Sequence, residues 1–231
     1  MALSVKLQAV FLAPAFALLL LKGCQPWKEI LSSIVGYGAL LLPAALVGRP
    51  VGELLRVYLQ QYDTFQSLAL SAPNLWSVVN KLPLSAAVFS VLLSIGLLAA
   101  VAFGFAYLLA GRTRIRNTQG NVTFFELAFV SAFVLPFLLP KMHDRYFFCA
   151  DVLSCILALV DRRWYRLAVL LQIGSITSYA PFLLNVRVPL ALGVIANTLV
   201  FLAVMLGWSK HLGRYTARDA RQDKPDCSIP Q

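Results

Sequence analysis

Leu84-Ser85-Ala86-Ala87-Val88-Phe89-Ser90-Val91-Leu92-Leu93-Ser94-Ile95-Gly96-Leu97-Leu98-Ala99-Ala100, continuing as Val101-Ala102-Phe103-Gly104-Phe105-Ala106-Tyr107-Leu108-Leu109-Ala110, carries no Asp, Glu, Lys, Arg or His. About 20 mainly apolar residues, wound as a helix, cross the hydrocarbon core of a bilayer. Read that way, the stretch makes the chain a membrane protein, and the rest of the sequence agrees. Six more apolar runs are candidate spans: Val5–Leu21, Glu29–Val47, Val122–Leu139, Tyr146–Val160, Leu167–Leu184 and Val188–Trp208. The expected fold is therefore an all-α integral membrane protein of about seven transmembrane helices, with Pro14, Pro43 and Pro136 tolerated inside or near the ends of spans.

Composition supports the same class. Of 231 residues, 59% are hydrophobic and only 13% charged, with a mean hydropathy of +0.75; a soluble domain is nearer half apolar and carries about twice this charge fraction. The net charge of +10 does not gather into a basic patch with interleaved aromatics, so no nucleic-acid partner is expected. Cys24, Cys149, Cys155 and Cys227 form no C-x-x-C pair, and His143 and His211 lie at no metal-ligand spacing from them. No cofactor and no zinc site held by protein ligands are expected; whether a metal is used is left open by the sequence.

The loops divide the 20 Lys and Arg unevenly. Thirteen fall on one side, among them Arg112, Arg114, Arg116, Arg162, Arg163 and Arg166, and seven on the other, among them Lys141 and Arg145. The positive-inside rule then predicts a multi-pass cell-membrane protein with an extracytoplasmic N-terminus and a cytoplasmic C-terminus. Residues 1–208 form the membrane domain. Residues 209–231 read as a disordered basic cytoplasmic tail that touches anionic lipid.

Two features share the extracytoplasmic side. In the loop 48–83, Leu54, Leu55, Tyr58, Tyr62, Phe65 and Ala69 follow the helical period and polar residues fill the other face. This predicts an amphipathic helix lying in the interface plane, either as a resting loop or as a wall over a lipid-linked substrate. The second feature is Lys141-Met142-His143-Asp144-Arg145-Tyr146, four ionisable groups in five positions between two apolar runs. Such a cluster reads as an interfacial anchor or as a site. Asp151 follows Asp144 by seven residues, two helical turns, so the two carboxylates share one helix face. An intramembrane carboxylate should face the bundle interior and find a partner, either Arg187 or a polar residue of another span. Its role is a structural pairing or a catalytic one.

Three pieces of sequence bear a family likeness: Lys6-Leu7-Gln8-Ala9 with Pro14 opening a span, Ala72-Pro73-Asn74-Leu75-Trp76 in an outer loop, and Pro136-Phe137-Leu138-Leu139-Pro140-Lys141-Met142-His143-Asp144-Arg145-Tyr146. From about Lys6 to Trp208 the chain resembles the C-terminal half of bacterial multi-span sugar transferases of the GT-C class, in the group related to the mannosyltransferase that adds the second mannose in GPI-anchor synthesis. Members resemble the last piece with Met-His-Glu-Arg-Tyr, where Asp144 is a conservative departure. The resemblance implies transfer of a hexose from a polyprenyl-phosphate sugar to an acceptor hydroxyl on the outer face.

That reaction needs a base for the acceptor proton and cations for the departing phosphate. Arg145 and Lys141 suit the phosphate, His143 suits a hydrogen bond to phosphate or sugar, and Gln8, Asn74 and Trp76 are further candidate substrate-binding residues. No catalytic carboxylate is identified, because the family's Asp-bearing first outer loop has no counterpart here. Asp144 and Asp151 are only weak candidates for that role. The expectation is a truncated transferase: the C-terminal part of the enzyme, inactive alone and completed by a separate N-terminal half. The alternatives are a non-catalytic remnant or accessory subunit that binds a lipid-linked substrate, and a small transporter that uses Asp151.

Overall fold

A computed structural model describes residues 7–21, 27–53, 67–117, 121–186 and 188–218. The chain is largely helical. A 3-10 turn, Leu7–Leu12, leads into α1 (Ala13–Leu21), and α2 spans Trp27–Leu46. After the loop come β1 (Ala69–Leu70), the short α3 (Trp76–Val79), α4 (Ala86–Asn117) and α5 (Asn121–Leu138). Then β2 (Met142–His143) and a 3-10 turn, Asp144–Phe147, precede α6 (Phe148–Val160). A further 3-10 turn, Arg162–Trp164, joins α6 to α7 (Tyr165–Leu183), and α8 (Leu190–Arg218) follows.

The helix α5 is the hub. It is apolar on every side, and a helix of that kind must be buried all round or lie in lipid. Here protein covers it. Leu127, Phe129, Phe133, Val134 and Phe137 are fully buried. Phenylalanines four residues apart stack along one face: Phe129 on Phe133 at 5.9 Å and Phe133 on Phe137 at 5.8 Å between ring centroids. Phe201 of α8 extends the stack from Phe137 at 4.8 Å, and Trp164 meets Phe129 edge-on at 5.3 Å. Tyr107 of α4 is buried as well, and its hydroxyl donates to the Leu127 carbonyl at 2.8 Å. Close approach elsewhere depends on glycine. A Cβ at Gly111 would lie 2.3 Å from Leu18 of α1.

Among the described residues, two helices are long and apolar enough to cross a membrane, Ala86–Arg112 and Leu190–Gly207. The expected seven spans are not supported, for local reasons. Val5–Leu21 is broken by the 3-10 turn, leaving nine residues in α1. Tyr146–Val160 yields 13 residues of α-helix, about 20 Å at 1.5 Å per residue. In α7, Gln172, Ser175, Thr177, Ser178 and Tyr179 dilute the apolar content. The predicted amphipathic helix over Leu54–Ala69 lies mostly outside the described residues, and at its end Ala69 belongs to β1 instead. The predicted boundary at Trp208 is not a helix end, since α8 runs on to Arg218.

Large apolar side chains nevertheless face outward along α4, α7 and α8, including Phe105, Ile176 and Leu206. None of the described side chains of α2 is buried. Exposed apolar surface on this scale has no place in water and favours association with a membrane.

Candidate functional site

At one end of the bundle the segment Ser67–Asn80 lies across the tips of α5, α7 and α8, and side-chain donors hold it there by its own carbonyls and theirs. Ser178 of α7 donates its hydroxyl to the Ser71 carbonyl. Asn197 of α8 donates to the Pro73 carbonyl at 2.9 Å. In the reverse direction, Asn74 donates to the Pro136 carbonyl at 3.3 Å and the Trp76 indole N–H to the Leu138 carbonyl at 2.7 Å. The last carbonyls of a helix have no partner within it, and Pro140 has no N–H to offer the Pro136 carbonyl four residues back. Asn74 and Trp76 fill this need.

Segment 67–80 also pairs with the charged cluster. β1 and β2 run parallel, with Ala69 opposite Met142 and Leu70 opposite His143, and the Lys141 N–H donates to the Leu68 carbonyl at 2.7 Å. Ser71 and Lys141 take left-handed backbone angles, φ 58° and 60°. A non-glycine residue pays about 1–2 kcal/mol for that conformation, so the pairing around it must hold it. Thus the start of Lys141–Tyr146 forms a lip tied to segment 67–80. On its other side the Tyr146 ring meets Phe11 at 5.7 Å and His143 edge-on at 5.6 Å. Ser131 of α5 donates to the Phe11 carbonyl. The Leu7–Leu12 turn, through Phe11, and segment 67–80 therefore both meet the Lys141–Tyr146 stretch.

The candidate residues divide by what they touch. Lys141, His143 and Asp144 are half-buried and Arg145 is exposed, so the cluster faces outward. Asp144 accepts the backbone N–H of Arg145 at 2.8 Å, which steadies the 3-10 turn that follows. Asn74 is fully buried, with its amide on Pro136 and its oxygen accepting the Ser77 N–H at 3.3 Å. It shapes the site from within, and Trp76 likewise spends its N–H on the fold. Gln8 sits in the first 3-10 turn, and its side chain lies outside the described part.

Asp151 is 7% exposed and faces the bundle interior. Its partner is a polar residue of a neighbouring helix: the Ser175 hydroxyl of α7 lies 2.8 Å from both carboxylate oxygens. Arg187, the other candidate partner, lies outside the described residues. The shared helix face of Asp144 and Asp151 is corrected, because Asp144 opens a 3-10 turn and α-helical spacing begins only at Phe148. Tyr179 lies close enough to Asp144, Arg145 and Asp151 for their charges to act on its phenol. Ser175, Ser178, Tyr179 and Asn197 were missed as contributors to this end of the bundle. The signal was present as polar side chains inside otherwise apolar runs.

Burial holds the His143 pKa below its usual 6.5; the Arg145 charge lowers it further and Asp144 opposes both. His143 is neutral at pH 7 and presents one N–H donor and one acceptor. The folded state binds this proton less readily than the unfolded chain. The stability contribution is therefore full above about pH 6.5 and declines as pH falls through the lower folded value. In a His211→Asn variant, the single remaining imidazole is expected to titrate below 6.5 by NMR. A midpoint at or above 6.5 would contradict this placement.

No family model, curated protein or solved structure matches this chain.

Proposed function

We propose that this chain is a multi-span membrane protein that binds a polyprenyl-phosphate-linked sugar at the Lys141–Tyr146 lip. In this reading it is the phosphate-binding part of a hexosyltransferase of the GT-C type, working on the extracytoplasmic face. The observation that supports the reading is convergence: the Leu7–Leu12 turn and segment 67–80, distant in sequence, both meet the Lys141–Tyr146 stretch. Lys141 and Arg145 stand on this lip, next to a neutral His143. Guanidinium and ammonium groups held there suit a phosphate monoester or diester. Apolar helices beside the lip suit the polyprenyl tail.

In this mechanism the acceptor oxygen forms a bond to the anomeric carbon, and the bond from that carbon to the phosphate oxygen breaks. The electron pair leaves on the phosphate, where Arg145 and Lys141 offset the growing charge. The acceptor proton goes to a carboxylate supplied by a partner chain. Such a partner is invoked because Asp144 is engaged by the Arg145 backbone and Asp151 is buried against Ser175.

Those same two facts favour a second reading, in which the chain binds the lipid-linked sugar as an accessory subunit and does no chemistry. Membranes carrying the chain and its partner, supplied with a polyprenyl-phosphate hexose, separate the readings. Sugar transfer that drops on Arg145→Ala supports the first. Lipid binding that drops while no transfer occurs with any partner supports the second.

A further inference from the structure

The opposite end of the bundle carries a second concentration of charge. Between α6 and α7 the chain reads Asp161-Arg162-Arg163-Trp164-Tyr165-Arg166. Trp164 is half-buried edge-on against Phe129 of the hub helix, which fixes the turn to the core. The arginines are not equivalent. Arg163 is balanced: the Asp161 carboxylate accepts its backbone N–H at 3.0 Å and its Nε at 2.8 Å, and a terminal guanidinium nitrogen lies 2.7 Å from Asp161. Glu126 also acts on Arg163. Arg162 and Arg166 are exposed and form no ion pair among the described residues.

Directly beside these two charges lies apolar surface. Leu159 is 88% exposed, Val160 60% and Tyr165 63%. Exposed apolar side chains next to uncompensated guanidinium groups suit neither water nor hydrocarbon alone. They match the boundary between the two, where an acyl chain covers the apolar residues and an anionic headgroup meets the cations.

We propose that Arg162 and Arg166, with Leu159, Val160 and Tyr165, form a binding surface for an anionic phospholipid. The arginines take the headgroup phosphate and the apolar residues take the upper acyl chain. Charge complementarity selects the occupant: a zwitterionic lipid brings its own cation and gains less here. The surface is independent of the sugar-binding lip, which lies at the other end of α6.

The test uses the purified full chain in neutral detergent, titrated with dioctanoyl phosphatidylglycerol and, separately, dioctanoyl phosphatidylcholine, with binding read by native mass spectrometry. Phosphatidylglycerol is expected to bind more tightly. Each juxtamembrane arginine contributes about fivefold to anionic-lipid affinity. Arg162→Gln with Arg166→Gln is expected to weaken phosphatidylglycerol binding about thirtyfold, whereas Arg163→Gln changes it less than about threefold. The pair Arg162→Lys with Arg166→Lys keeps the charge and should keep the preference, which guards against a double variant that fails to fold. Equal affinity for the two lipids would overturn the proposal. So would a loss in Arg163→Gln as large as that in the double glutamine variant, or a loss of preference in the folded lysine variant.

Discussion

Replacing Gly193 by valine is expected to destabilise the protein by about 3 kcal/mol, the upper part of the range for overpacking a tight interface. A Cβ at this position would lie 2.1 Å from the Thr177 hydroxyl, 3.0 Å from the Gly174 carbonyl and 3.2 Å from the Pro73 Cβ. The Thr177 hydroxyl has little freedom to retreat, because it donates to the Gly174 carbonyl at 2.8 Å. The opposing surface is also fixed, since Asn197, one turn along α8, donates to the Pro73 carbonyl. Gly193→Ala gains about 1 kcal/mol in helix propensity yet loses more by overlap. Adding Thr177→Ala removes the atom it meets and should recover at least about 1 kcal/mol in a double-mutant cycle. Chemical unfolding in detergent, read by tryptophan fluorescence, gives these values. A Gly193→Val variant as stable as the parent would mean that α7 and α8 do not approach as described.

The second large effect concerns the proposed chemistry. If the chain takes part in sugar transfer as proposed, Arg145→Ala lowers that transfer about 100-fold, the lower end of what removing one preorganised donor to a developing anion costs. Arg145→Lys keeps the charge but not the two-point grip on phosphate oxygens, so a fall of about tenfold is expected. Both losses should appear in kcat and kcat/KM together, because the interaction strengthens as charge moves onto the phosphate. Unchanged melting of the variants would separate this effect from a folding defect. The exposed side chain of Arg145 makes that outcome the expected one.

The helices were legible in the sequence, and the number of membrane-crossing helices was not. Apolar runs mark helices wherever they end in lipid or in protein, and hydropathy alone does not distinguish α4, which faces outward, from α5, which phenylalanine stacks and neighbouring helices enclose. Short-range geometry hid the rest. The 3-10 turns at Leu7–Leu12 and Asp144–Phe147 use the same residue types as the helices they precede, so periodicity read straight through them.

The lip itself was found from charge alone. Its connection to segment 67–80 was not, because β1 and β2 are two residues each and no sequence period shows at that length. Asn74 and Trp76 were read as substrate-binding because they lie in a piece of sequence that resembles the family's outer loop. The carbonyls they satisfy belong to Pro136 and Leu138, and such distant partners leave no local trace. Glycines were the better clue: Gly96, Gly174 and Gly193 interrupt apolar runs, and each marks a close approach near this end. At Gly96, a Cβ would lie 2.6 Å from Pro140 and 2.7 Å from Trp76.

Photo-cross-linking tests most directly the proposed binding of a lipid-linked phosphate at the Lys141–Tyr146 lip. Membranes carrying the full chain would be labelled with a polyprenyl phosphate bearing a diazirine near the phosphate, digested and mapped by mass spectrometry. The expected result is labelling within residues 67–80 and 140–147, competed by unlabelled polyprenyl-phosphate hexose and reduced at least about tenfold by Arg145→Ala. Labelling spread over the outward faces of α4 and α8, unaffected by the competitor or by Arg145→Ala, would contradict it.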